Sequence, residues 1–298
     1  MTLVKTPLGL IEAGKIKKRF SNNPEKAAEE FLSEAGGSGK INIRELSLSN
    51  NLFNDDEEFN KFMSAFCCKL SYKMMSGKIG RDRFVVQSFG ALDELTRTLN
   101  IFMERISEWY FLHYPESKKT RRELLDYIIK HGERKSGSVG LSLSESDMDT
   151  IVEYAALVKR MDDVKRDMEN YIRKAMAEIA PNFSSLIDPL LAARILSYAG
   201  SLEKLAKMSS STIQLLGAEK ALFKHLKNKR IKSPKHGIIF LSAQVQNIPE
   251  KDRGKAARVL AAKLALAVRI DFFSGRDERK KMKEDLKKEI EKLVEVVK

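Results

Sequence analysis

The sequence predicts a mainly α protein: a small α/β N-terminal domain, a long antiparallel coiled-coil hairpin and a compact all-helical domain. Three observations support this. The first 80 residues mix strand-like and helix-like patterns, two long apolar stripes at helical period follow, and beyond Pro181 come short helical segments rich in small residues. A chain of 298 residues, 43 % hydrophobic, is long enough to bury a substantial core and suggests about two domains.

In residues 1–80, Leu3-Val4-Lys5-Thr6-Pro7 reads as a short strand ended by proline. Asn23-Pro24-Glu25 opens an amphipathic helix running through Leu32. Residues 41–48 alternate apolar with polar and are expected to be a strand. Phe53, Phe59, Phe62, Met63 and Phe66 have helical spacing and are expected to pack as core. The adjacent Cys67 and Cys68 cannot readily bridge each other, suit no metal site, and are read as buried free thiols of a reducing compartment.

Residues 81–180 carry the two stripes. Phe89, Leu92, Leu95, Leu99, Phe102, Ile106 and Trp109 step by three or four to Leu112, where Tyr114-Pro115 stops the helix. The second stripe runs Ile151, Tyr154, Val158, Met161, Val164, Met168, Ile172, Met176 and Ile179, eight steps over 28 residues. That spacing is the coiled-coil period of about 3.5. Ser144 to Asp147 resembles a capping box at its start, and Pro181 marks its end. A polar link, residues 116–143, lets the two helices fold back as a hairpin.

Residues 181–275 are expected to form helices over 185–199, 202–208, 211–227 and 253–273, the last with Leu260, Leu264 and Ala267 inward. Residues 276–298 read as a charged, solvated helix with i,i+4 pairs.

Charge points to a ligand. Residues 220–263 hold twelve Lys or Arg against two acids, Glu250 and Asp252, and so carry +10 of the formal +13. Such a concentration is a footprint for polyphosphate, most often nucleic acid. Lys220, Lys224 and Lys227 lie on one helix face that can follow a phosphate backbone. Lys229, Arg230, Lys232 and Lys235 follow in a loop with His236; Arg253 starts a later helix on which Lys255 and Arg258, extended by Lys263, share a face. By contrast residues 1–80 are near neutral, twelve basic against ten acidic, which suits a protein partner better than RNA.

Enzyme signals are weak. His113, His131, His225 and His236 are scattered without metal-ligand spacing, so no metal and no cofactor is expected. Gly36-Gly37-Ser38-Gly39-Lys40 departs from a phosphate loop, with Glu34 in place of the first glycine and Ile41 in place of Ser or Thr. Residues 1–10 do not read as a secretory signal, and no window of about 18 apolar residues is present, so no membrane contact is expected.

The order of Glu108-Trp109-Tyr110-Phe111-Leu112-His113-Tyr114-Pro115-Glu116, Ala180-Pro181-Asn182, Ala199-Gly200-Ser201-Leu202, Gly217-Ala218-Glu219-Lys220-Ala221-Leu222-Phe223, Pro234-Lys235-His236-Gly237 and Arg253-Gly254-Lys255-Ala256-Ala257-Arg258 resembles the archaeal Nop core proteins of box C/D small ribonucleoproteins. The resemblance covers residues 85–275 well and the first 80 more loosely. It implies a non-catalytic scaffold: residues 1–80 dock fibrillarin, residues 81–180 pair two copies, and residues 181–275 form a Nop domain. That domain would bind a kink-turn in the guide RNA together with a ribosomal-protein-like binder. Fibrillarin, not this chain, would carry S-adenosylmethionine and methylate the ribose 2′-hydroxyl of a target selected by the guide.

Carried over by position, Gly217, Ala218, Glu219, Lys220 and Phe223 would build the helix that meets the protein–RNA composite, Glu219 facing the protein or orienting a base; Phe223 is read as core in preference to a contact. Ile151, Tyr154, Val158, Met161, Met168 and Ile172 would serve coiled-coil dimerisation. Pro249-Glu250-Lys251-Asp252 departs from the aromatic and basic run usual there, which argues against a phosphate contact by residues 250–252. The lack of a long lysine-rich tail favours an archaeal, hence cytoplasmic, protein; a eukaryotic one would be nucleolar. The alternative within the family is a spliceosomal-type Nop protein that works without fibrillarin.

Overall fold

A computed structural model describes residues 3–12, 15–37, 39, 41–76, 80–132 and 134–295. The chain divides into two compact units, Met1–Gly80 and Arg81–Lys298.

The first unit begins with three antiparallel strands in sequence order, β1 (Val4–Thr6), β2 (Gly9–Glu12) and β3 (Lys15–Arg19). A register shift between Leu10 and Ile11 breaks the alternation of β2, so both neighbours point inward. Gly37 bonds both ways to the first strand, Lys5 N to Gly37 O at 3.0 Å and Gly37 N to Leu3 O at 2.9 Å. The glycines of residues 36–39 therefore serve a close approach to β1; Ser38 and Lys40 of that run lie outside the described residues. Three helices follow, α1 (Pro24–Ser33), α2 (Ile43–Ser49) and α3 (Asp56–Ser76).

Two expectations fail here. Residues 41–48 are not a strand: Asn42 caps α2 by accepting from Glu45 N at 3.3 Å, and its amide donates to Glu45 Oε2 at 3.1 Å. Capping at a position that also fits an alternating pattern decides for the helix, with Ile43 and Leu46 one turn apart. Cys67 and Cys68 are free but exposed, not buried. Phe59, Phe62 and Phe66 take the inward face of α3 as expected, and the next two residues turn about 100° and 200° away from it.

The second unit starts with α4 (Arg81–His113), α5 (Arg121–Lys130) and α6 (Glu145–Ile179). The long helices are antiparallel: Val85 and Leu92 share a core with Ile172 and Met176, whereas Leu99 and Ile106 pack with Ile151, Ala155 and Val158. At 35 residues α6 is roughly 50 Å long. Ser144 and Asp147 form the expected capping box.

The link between them is not simply polar. It contains α5, whose Leu124, Leu125 and Ile128 are buried at the far end of the hairpin. Arg122 bridges to Asp162 at 3.1 Å and Asp163 at 2.6 Å, fastening α5 to α6. Near the end of α4 the buried line runs through Tyr110 and His113 and leaves Leu112 exposed, because a 3.6-residue helix drifts from a fixed stripe.

Three of the six residues assigned to dimerisation, Ile151, Val158 and Ile172, need correction. Ile151, Val158 and Ile172 are fully buried within one chain, Tyr154 packs on Phe102 and Trp109, and Met161 and Met168 lie half-buried against the two cores. This seam closes the hairpin on itself, so its buried members present nothing to a second copy.

The remaining helices are α7 (Pro181–Leu186), α8 (Pro189–Ala199), α9 (Leu202–Lys207), α10 (Ser210–Leu215), α11 (Glu219–Lys227), α12 (Ala243–Gln246), α13 (Arg253–Arg269) and α14 (Arg279–Glu295). A 3-10 turn, Ile238–Leu241, precedes α12, and a π-helical turn, Ile270–Ser274, follows α13. The expected helix over residues 185–199 is split at Asp188, which caps α8 at Leu190 N, with Pro189 in the first turn. The expected helix over 211–227 is split at Gly217. Leu260, Leu264 and Ala267 are buried as expected, and α13 is the central helix of this core. Residues 279–295 do not form a solvated tail: Met282 and Leu286 are buried against it.

Candidate nucleic-acid interface

The site is organised by two close backbone crossings. Gly217 has φ +81°, and a Cβ there would collide with the Ile238 side chain; a Cβ on Gly237 would run into the Leu216 carbonyl. Glycine at these two positions lets residues 214–217 lie directly against residues 235–238. Gly237 N donates to Gln214 O at 2.8 Å, Ile238 N to Leu216 O at 2.8 Å, and Gln214 Nε2 to Lys235 O at 2.7 Å. The sequence motifs at 217–220 and 234–237 are therefore two sides of one assembly.

Glu219 is turned back on this crossing, its Oε1 accepting from Gly217 N at 2.7 Å. It fixes the turn that aims α11, and a negative side chain suits a helix N-terminus.

Helix α11 buries no residue at all. Lys220, Lys224 and Lys227 are exposed along one face, as the spacing implied. The expectation that Phe223 is core fails: it is 66 % exposed, and Leu226 and Ile231 are exposed beside it. A basic stripe and an apolar stripe thus run side by side on a helix that stands outside the core. Beyond it, His225 Nδ1 bonds Ile231 O, and Arg230 N donates to Asn228 Oδ1 at 3.1 Å, folding the loop that exposes Lys229, Arg230 and Lys232.

A stacked group joins this loop to α13. The His236 ring lies on Phe240 at 4.7 Å and 14°, and the Arg253 guanidinium lies over the same Phe240 ring at 5.5 Å while donating from Nε to Ile248 O at 3.0 Å. Burial, then the Arg253 and Lys235 charges, push the His236 imidazole below its usual value. Near neutral pH it is an uncharged hydrogen-bonding ring, not a phosphate cation. The Lys235 stem passes Gly254 in the first turn of α13. Phe240 thus positions the site without having been singled out by the sequence, where it reads as an ordinary loop residue.

On α13, Arg258 is exposed, and Lys255 is exposed but paired with Asp252 at 2.9 Å. Asp252 is itself buried and its Oδ2 has no partner among the described residues. Lys263, read as a neighbour of Lys255 and Arg258, is mostly buried and paired with Glu289 of α14 at 2.7 Å. It does not belong to the surface. Among the described residues no group of three or more His, Cys, Asp or Glu is placed to hold a metal, and no helix is long and apolar enough to cross a membrane.

The Nop family model, described as a snoRNA binding domain, fibrillarin, matches residues 127–296, which include this whole assembly. The chain belongs to the Nop family. An uncharacterized NOP5 family protein of Methanocaldococcus jannaschii is 36 % identical over 298 aligned residues, covering 85 % of this chain and 72 % of that protein. Nucleolar protein 58 of Schizosaccharomyces pombe is 38 % identical over 66 % of this chain and 44 % of its own length. Nucleolar protein 56 of Caenorhabditis elegans is 34 % identical over 65 % and 46 %. The chain therefore spans less than half of these two eukaryotic relatives. A chain in a crystal structure of a fibrillarin/Nop5p complex matches across 98 % of this chain and 99 % of its own, with a TM-score of 0.51 and 25 % identity. The mainly α Nop fold with a small N-terminal α/β unit is thereby established.

Proposed function

We propose that this chain is a non-catalytic scaffold of a box C/D guide ribonucleoprotein, bridging fibrillarin to kink-turn RNA and its ribosomal-protein-like binder so that guided ribose 2′-O-methylation of rRNA or tRNA can proceed. The observation that carries this is α11. A free-standing helix with Lys220, Lys224 and Lys227 beside exposed Phe223 and Leu226 suits a ligand that is half phosphate and half protein. Lys229, Arg230, Lys232, Lys235, Arg253 and Arg258 extend the phosphate side, and His236 offers an uncharged contact.

Fibrillarin would dock on the separate, near-neutral unit Met1–Gly80 and would bring S-adenosylmethionine. Two copies would pair along a second heptad line on α6, Leu157, Met161, Val164, Met168 and Tyr171, whose ends are exposed and whose middle is only half-buried. The protein would work in the cytoplasm of an archaeon, or in the nucleolus if eukaryotic. Reconstitution tests the reading. The chain should retain fibrillarin on an affinity column, and should bind kink-turn RNA far better once the ribosomal-protein-like binder is present. Micromolar binding of S-adenosylmethionine by this chain alone would overturn it, and RNA binding with no retention of fibrillarin would favour the spliceosomal type.

A further inference from the structure

The turn after α13 is fastened from inside and bare outside. Asp271 accepts from Asn182 N at 3.1 Å, Asn182 Nδ2 at 2.7 Å and Phe183 N at 2.8 Å. The fully buried Asn182 also donates to Arg276 O and accepts from Glu278 N, both at 2.7 Å. These five hydrogen bonds tie residues 271–278 to the first turn of α7. A turn so held cannot rotate to fold its other side chains inward.

Those side chains are Phe272, 40 % exposed, and Phe273, 66 % exposed, with ring centroids 4.9 Å apart at 82°. Immediately after them residues 276–283 hold five cations against two acids, Asp277 and Glu278. Arg279 is taken up by Asp277 at 2.6 Å. Arg276, Lys280, Lys281 and Lys283 are exposed and make no ion pair among the described residues.

Rigidly presented aromatic faces followed by unpaired cations are what a single-stranded nucleic acid requires, rings for its bases and cations for its backbone. A duplex would satisfy only the cations, since its base faces are already stacked. An apolar protein partner would satisfy only the rings. We propose that Phe272 and Phe273, with Arg276, Lys280 and Lys281, form a stacking platform for single-stranded RNA, separate in sequence from residues 220–263. The proposal takes RNA as the polymer from the function proposed above.

The test is fluorescence anisotropy on the full chain with two labelled probes, an oligouridylate and an RNA duplex. The double variant Phe272→Ala/Phe273→Ala should weaken oligouridylate binding by about tenfold or more and change duplex binding by less than about twofold. Its salt dependence should stay that of the parent, because stacking releases no counterions. A Phe273→Trp variant, which tests the same point without truncation, should show fluorescence quenching by oligouridylate beyond that of Trp109 in the parent chain. Unchanged oligouridylate affinity in the double variant, or no added quenching in the tryptophan variant, overturns the proposal. So does a double variant that keeps its RNA affinity but loses self-association or fibrillarin, which would assign the rings to a protein. Lys220→Ala/Lys224→Ala separates the two readings: no effect on either probe would count against the proposed RNA surface on α11, whereas the phenylalanine variants alone decide the stacking platform.

Discussion

Helices α11 and α13 come from the same basic stretch yet do opposite things. Helix α13 buries Ala256, Ala257, Leu260, Ala261, Leu264, Ala265, Ala267 and Val268, whereas α11 buries nothing. Both are amphipathic and both carry lysines. The difference lies in side-chain size: five of the eight buried residues of α13 are alanines, so neighbouring helices can approach its axis closely. In α11 the apolar residues are Leu222, Phe223 and Leu226, large groups on a helix set apart by the glycine turn at 217. One helix holds the domain together and the other stays outside its core.

The largest expected effect would come from attacking α13. Leu260→Ala should cost about 2–5 kcal/mol in denaturant unfolding, through lost burial plus the cavity left behind. Phe223→Ala and Leu226→Ala on α11 should stay within about 0.5 kcal/mol of the parent while impairing recognition of the RNA with its bound protein. A stability loss at Phe223 comparable to that at Leu260 would erase the contrast.

Next comes the hinge that sets α11 apart. Gly217→Ala should destabilise by about 1–3 kcal/mol, since the positive φ and the neighbouring Ile238 both oppose a Cβ. The same substitution should weaken RNA binding, measured by anisotropy, by disturbing the crossing of residues 214–217 with residues 235–238 from which α11 starts.

A smaller effect is expected of single cations. Lys224→Ala should leave unfolding unchanged and reduce the log–log salt slope of RNA binding by about one. Lys263→Ala, by contrast, should leave that slope unchanged, because its ammonium is engaged with Glu289.

The smallest effect is the pH dependence of His236. Its folded-state value is lowered, so the neutral ring contributes stability that is fully present above the unfolded value of about 6.5 and is lost as pH falls through the folded value. Unfolding followed from pH 7 downward should show this component in the parent and lack it in His236→Phe.

Much of this was legible in one dimension. The two long helices, the capping box at Ser144, the inward Leu260 and Leu264 and the exposed lysines of α11 follow from period, capping chemistry and charge, which act within a few residues. Residues 41–48 show the limit: the alternation fitted a strand, and the Asn42 cap outweighed it. Cys67 and Cys68 show another, since type alone suggested burial while their angle on α3 put them outside.

What the sequence by itself determined is the supply of helices, their breaks and the place of the charge. Only the tertiary structure decided which apolar residues are already used. Ile151, Val158 and Ile172 are closed within the chain, Phe223 is not covered, Lys263 is neutralised from α14, and Asn182 fixes a turn nearly ninety residues away by bonding Asp271. Burial and pairing depend on what arrives from distant positions, and the local pattern of a helix cannot say which of its faces will find a neighbour.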